Sequence, residues 1–292
     1  MDDIAVDYTS TGYLDKHLGV SNKKCDAAIV MGIVARYLAI EFPDTPLFPL
    51  HSAVLFRQLR HLEITCKSNH EILILPYLEQ IEWLRIVKGS IPEYSLNQDL
   101  PMTHTLHWLD LNQSTSSWML GRTFKALRMF VVAVPPDERE NHSRHEGIQV
   151  DLPACTILDL TFCPIEYLRS LSCSNVQILR YWASSSRTFD LAAFNLLHDF
   201  LFNLSCLQNL DIFVSQGLGI DSLIEFVFCG ASEHRVWRDI SSVAVTIRFD
   251  SPSEASHFFD QTVGYKPRYE KWWKSFTLTQ GSNMKATIQA YM

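Results

Sequence analysis

Along Leu204-Ser-Cys-Leu-Gln-Asn-Leu-Asp-Ile212 the apolar residues Leu204, Leu207, Leu210 and Ile212 are separated by gaps of three, three and two. Gaps of three describe a chain coming through a bend. The closing gap of two describes a short strand with one face buried. The signature recurs at Phe56/Leu59/Leu62/Ile64, Leu78/Ile81/Leu84/Ile86, Phe124/Leu127/Phe130/Val132, Leu152/Cys155/Leu158/Leu160, Cys173/Val176/Leu179/Tyr181 and Trp237/Ile240/Val243/Val245. Two copies are incomplete: Leu106/Leu109/Leu111 has Thr103 in the leading place, and Trp273/Phe276/Leu278 has Glu270 there. The last apolar residues of successive copies lie 21–33 residues apart. In a chain that is 47% apolar a three-residue match arises by chance at about one position in ten, so no single copy is informative. Seven of nine copies carry the fuller four-residue pattern, however, and their interval is roughly regular. One supersecondary unit is therefore repeated along most of the chain.

These units predict an α/β fold in which each copy adds one strand to a curved parallel sheet, with irregular helices and loops on the return side. Leu109, Leu158, Leu179 and Leu210 are expected at its buried positions. Residues 1–52 read as a polar leader followed by a helical cap, with Cys25–Phe42 a helix ending in a strand at Leu38-Ala-Ile40. Pro43, Pro46 and Pro49 then break the chain. Residues 53–292 hold the repeats and a C-terminal cap, with Met284–Met292 as a frayed end. Copies between Ala53 and Pro135 leave little room for helices, and residues 136–150 form a polar, projecting loop. Farther on, Asp190 is placed to cap a helix over Leu191–Asn203, and Asp221 one over Ser222–Cys229. Ser253 opens a third that Gly264 ends.

Segments such as Leu152-Pro-Ala-Cys-Thr-Ile-Leu-Asp-Leu160 and Leu171-Ser-Cys-Ser-Asn-Val-Gln-Ile-Leu179 resemble the degenerate leucine-rich-repeat region of fungal F-box-type proteins. The resemblance covers about residues 53–280. It implies a leucine-rich-repeat-like solenoid serving as the target-recognition region of a ubiquitin-ligase adaptor, whose F-box docks on a Skp-type linker. The chain departs from the family in two ways. The Asn usual three residues after the last strand Leu is replaced, for example by Gly89, Ser114 and Cys163. No F-box is evident in residues 1–50, which lack its Leu-Pro opening and paired apolar helices, so a Skp-type linker is not expected to dock there. An adaptor fragment without independent function is the alternative.

Charge and chemistry narrow the class further. Lys and Arg total 25 against 32 Asp and Glu, a net charge of −7, which disfavours nonspecific binding to nucleic acid. The apolar stretch Cys25–Phe42 contains Asp26, Arg36 and Glu41 and is too short for a membrane span. Seven cysteines and an acidic start without a secretory signal suit reduced thiols in the cytoplasm or nucleus. No catalytic motif is present, so neither an enzyme nor a cofactor is expected; an enzyme would need a site assembled from distant residues. Gly217-Leu-Gly219 lacks the third glycine of a dinucleotide fingerprint and reads as a turn. His142, His145 and Glu146 have helical metal-ligand spacing but sit in the polar loop with no further ligand, so no metal site is assigned. Cys163 and Cys173 have no His at an informative spacing.

The outward strand positions carry the strongest functional signal. Successive strands stack outward side chains in columns about 4.8 Å apart. One column reads His61, Trp83, Trp108, Met129, Ile157 and Ile178 before turning polar at Asn209. The next contains Arg85, Asp110, Asp159 and Arg180, and a third contains Trp182 and Phe213. Aromatic and apolar anchors rimmed by charge are what a protein-binding hot spot requires. Trp83, Arg85, Trp108, Asp110, Met129, Ile157, Asp159, Ile178, Arg180 and Trp182 are therefore the candidate residues for docking a protein partner on the concave sheet face.

Overall fold

The computed structural model describes residues 37–42, 57, 59–72, 75–91, 100–134, 148–183, 188–230, 237, 239–270, 273–282 and 284–292. The polar leader, the expected cap helix before residue 37, the boundary at residue 52 and the His142/His145/Glu146 group lie outside them. The fold is mixed α/β with mostly parallel sheets. It divides into two compact units, the first drawing its described residues from Met1–Glu138 and Ile148–Ala154, the second from Cys155–Met292.

In the first unit β1 (Tyr37–Phe42), β2 (His61–Glu71), β3 (Trp83–Ser90), β4 (Trp108–Asn112) and β5 (Met129–Ala133) pair in that order, all parallel. The short β6 (Val150–Asp151) sits beside a bridge from Thr123 to Asp151. The register joins equivalent positions of the sequence pattern: Leu62, Leu84, Leu109 and Phe130 face one another, as do Ile64, Ile86, Leu111 and Val132. All eight are fully buried. Strand β1 extends the ladder one rung before the first sequence copy, with Leu38 opposite Leu62 and Ile40 opposite Ile64. Among the described residues the returns between these strands hold 3-10 turns, at Leu75–Tyr77, Pro101–His104 and Ser117–Met119.

Strands β3 and β4 turn out of the ladder in the same way. Lys88 and Gln113 adopt left-handed backbone with φ of 59° and 53°, turning the next residue back toward the core. There Ser114 is buried, and its hydroxyl accepts from the Gly89 amide at 3.0 Å while donating to the Ile86 carbonyl at 2.9 Å. One hydroxyl thus ties two neighbouring strands. Ser114→Ala leaves the Gly89 amide without its partner in a dry site. The expected loss is about 1–2 kcal/mol of unfolding free energy by urea titration.

The second unit contains β7 (Ile157–Cys163), β8 (Leu171–Ser172), β9 (Ile178–Ala183), β10 (Asn209–Ser215), β11 (Ser242–Arg248), β12 (Ser275–Gln280) and β13 (Lys285–Tyr291). Strands β7, β9, β10 and β11 are parallel, with Leu158, Leu179, Leu210 and Val243 in register and buried. Phe162 repeats the left-handed exit at φ 55°, followed by buried Cys163.

The C-terminal end corrects the sequence reading. The segment expected to fray is β13, which inserts antiparallel between β11 and β12, so the last copy is not the next parallel rung. Its alternation of Ala286, Ile288 and Ala290, all buried, is a strand pattern too small in side-chain size to stand out.

Helices appear where the copies lengthen. Helix α1 (Leu191–Phe202) is capped as expected, Asp190 accepting from the Ala193 amide at 2.8 Å. Helix α2 (Ile220–Glu225) starts at Gly219 and continues as a π-turn over Phe226–Gly230. Asp221 is inside it and accepts instead from the Tyr265 hydroxyl at 2.8 Å. Helix α3 (Pro252–Thr262) begins two residues earlier than expected: Ser251 accepts from the Glu254 amide at 3.3 Å and Pro252 fills the first position. Gly264 keeps a right-handed conformation, so the chain passes directly into α4 (Tyr265–Tyr269) rather than stopping. Among the described residues no helix is long and apolar enough to cross a membrane.

Candidate protein-docking faces

Alternation in β2–β5 sends Leu84, Leu109 and Phe130 inward and leaves their neighbours on the other face. That face holds the first five candidate residues together. Trp83, Trp108 and Met129 are direct neighbours in register, and Arg85 pairs with Asp110 one step along. The two indoles are stacked, with ring centroids 4.2 Å apart and planes 2° from parallel. His61 continues the row, 6.5 Å from Trp83. Trp108 Nε1 donates to Met129 Sδ at 2.8 Å.

The stack changes the energetics expected from the sequence. Each indole hides one broad face against the other, so both are half-buried without a partner. What remains open to solvent is a continuous ridge of ring edges ending in a thioether, apolar and preorganised.

Beside the ridge runs a charged row. Arg85 Nη1 meets Glu63 Oε1 at 3.2 Å, and its Nε faces Asp110 Oδ2 at 3.3 Å. Part-exposed pairs of this kind contribute little to stability. Two carboxylates on opposite strands do hold the guanidinium in one place, which fixes the row's geometry and leaves it one negative charge in excess. Arg60 and Glu82, paired at 2.9 Å, add a rim at the strand entrances.

In the second unit the same register puts Ile157 opposite Ile178, Asp159 opposite Arg180, and Thr161 opposite Trp182. Arg180 Nη1 reaches Asp159 Oδ2 at 3.4 Å. Asp211 follows on β10, giving a second acid–arginine–acid row. Burial raises the Asp211 carboxyl above its usual range; the Arg180 charge opposes the shift and Asp159 adds to it. Trp182 is 42% exposed and its ring lies 6.0 Å from Phe213, over which Lys285 Nζ sits at 5.0 Å. Phe213 shares the column of Trp182 and was legible in the pattern. Lys285 was not, because it reaches the face from antiparallel β13.

Candidate chemistry elsewhere is sparse. Among the described residues no group of three or more His, Cys, Asp or Glu side chains is arranged to hold a metal. Cys66, Cys155, Cys163, Cys173 and Cys229 are buried and Cys206 is exposed, none of them joined in a disulfide. Burial pushes the Cys66 thiol up to about 11, so it is protonated and unreactive at neutral pH. Gly217 and Gly219 pack their backbones onto Phe189 and Asp190, at the start of α1.

Comparison of the chain with protein-family models, curated proteins and solved structures yields no match in any of the three.

Proposed function

We propose that the chain is a non-enzymatic protein-interaction scaffold, a leucine-rich-repeat-like solenoid whose outward strand face docks a protein partner. The role is similar to that of the target-recognition region of an F-box-type ubiquitin-ligase adaptor. The observation that carries the reading is the Trp83–Trp108–Met129 ridge lying against the Glu63–Arg85–Asp110 row. Rigid aromatic anchors lose little conformational entropy on binding, and a held guanidinium gives directional recognition at the rim. Ile157, Asp159, Ile178, Arg180 and Trp182 form the corresponding docking patch of the second unit. Support for the repeat architecture comes from the in-register parallel rungs, their common buried positions and the recurring left-handed strand exit. Among the described residues five buried cysteines lie outside any disulfide, which suits a reducing compartment, cytoplasmic or nuclear.

The test is affinity capture by cross-linking from native cells, followed by binding measurements with the purified partner. Trp108→Ala is expected to weaken that partner by about 2 kcal/mol, roughly 30-fold, per folded molecule. Unchanged affinity with Trp108→Ala and with Arg85→Ala would remove this face from consideration. A pulldown with a Skp-type linker separately tests the ligase connection: capture joins the chain to a ligase, and none leaves a free-standing binding module.

A further inference from the structure

Strand β12 ends the sheet of the second unit, and among the described residues its backbone pairs only with β13. Gly281 N–H donates to the Lys285 carbonyl at 2.9 Å, and the antiparallel register alternates from there. Thr279, Thr277 and Ser275 therefore direct their backbone groups to β13, while Phe276, Leu278 and Gln280 direct theirs to the open edge. Natural edge strands are usually protected by a charge, a proline or a bulge. The run Ser275-Phe-Thr-Leu-Thr-Gln280 has neither charge nor proline, and its register with β13 is unbroken. Leu278 is also only half-buried, whereas Leu160, Tyr181, Ile212 and Val245, which end the equivalent pattern in earlier copies, are fully covered.

We propose that β12 pairs antiparallel with β12 of a second copy of this chain, about a two-fold axis at Leu278. This register sets Leu278 against Leu278 of the partner subunit, and Phe276 against the partner's Gln280. Each facing couple exchanges two backbone hydrogen bonds, using the groups that point outward in the monomer. The open flank of Leu278 is covered by its own counterpart. On the other face Thr277 stands opposite the partner's Thr279, a favourable cross-strand couple. Lys274, the nearest charge, faces Ser282 of the partner subunit and not itself. The arrangement closes on two subunits, as isologous contacts do. Few residues take part, so the dimer is concentration-dependent.

Sedimentation velocity of the full chain over a concentration series tests the proposal, with folding of each variant checked by circular dichroism. The wild type is expected to pass from monomer to dimer. Thr277→Lys with Thr279→Lys sets two lysine couples across the axis and should raise the dimer dissociation constant at least tenfold. Thr277→Lys with Thr279→Glu sets Lys against Glu in the same register and should restore the dimer. Hydrogen exchange of the wild type needs no substitution: the Phe276, Leu278 and Gln280 amides should slow as concentration rises. A wild type that stays monomeric overturns the proposal and leaves the edge open for another protein's strand. So does a Lys/Lys variant that dimerises like the wild type, a Lys/Glu variant that does not recover, or exchange that ignores concentration.

Discussion

Leu109→Asp is expected to abolish cooperative folding of the first unit. Leu109 is fully buried on β4, between Leu84 of β3 and Phe130 of β5, which are fully buried too. Its strand neighbours Leu84 and Phe130 offer a carboxylate no cationic partner, so it would have to protonate or drag water into the core. Either route costs several kcal/mol, against a total stability for ordinary domains of about 5–15 kcal/mol. The lost leucine contacts add about 2–5 kcal/mol. Val87→Asp is the matched control, since Val87 lies on the outward face between Thr65 and Asn112. It should cost about 1 kcal/mol or less. Circular dichroism melts of the two variants check the contrast. Equal stability would mean that the inward and outward faces are misassigned.

Gly217→Ala is the second large effect, and a sequence motif alone misleads about it. A Cβ at residue 217 would collide with the carbonyl oxygen of Phe189, lie 2.5 Å from its carbonyl carbon and 2.8 Å from its nitrogen. All three are backbone atoms, so no rotamer change relieves the contact. Gly219 is similarly placed, 2.5 Å from the Asp190 carbonyl oxygen, and its amide donates to the Phe189 carbonyl at 3.0 Å. Displacing this segment also pulls Asp190 from the cap of α1. The expected cost is about 3 kcal/mol, the upper part of the range for overpacking, read as a shift in urea midpoint. Gly281→Ala, whose nearest neighbours are at 3.6 Å or beyond, should be nearly silent.

The rungs were legible because their signal is local and repeated. Leu-x-x-Leu-x-Leu spacing specifies which side chains turn inward, and that spacing alone predicts the register seen from Leu62 through Phe130. The same alternation predicts that Trp83, Trp108 and Met129 are neighbours, since a parallel in-register ladder stacks equivalent positions. The cap of α1 was legible for the same reason, as an N-cap concerns residues within one turn. The boundary at Gly264 misled because glycine permits a left-handed stop without requiring one.

Tertiary structure decided the rest. The separations that matter there are not periodic: β13 enters between β11 and β12, and Lys285 thereby lies over Phe213, distant in sequence. Asp221 was free to cap a helix by its position but was drawn to the Tyr265 hydroxyl from another element. The indole stack, the bracketing of Arg85 by Glu63 and Asp110, and the Ser114 hydroxyl held by the Gly89 amide depend on distances across strands. Hydrophobic spacing along a chain specifies which face of a strand is buried, because one bond geometry governs every residue. Where the order of strands departs from the order of copies, and what the outward side chains do to one another, follows only when the strands have closed their hydrogen bonds.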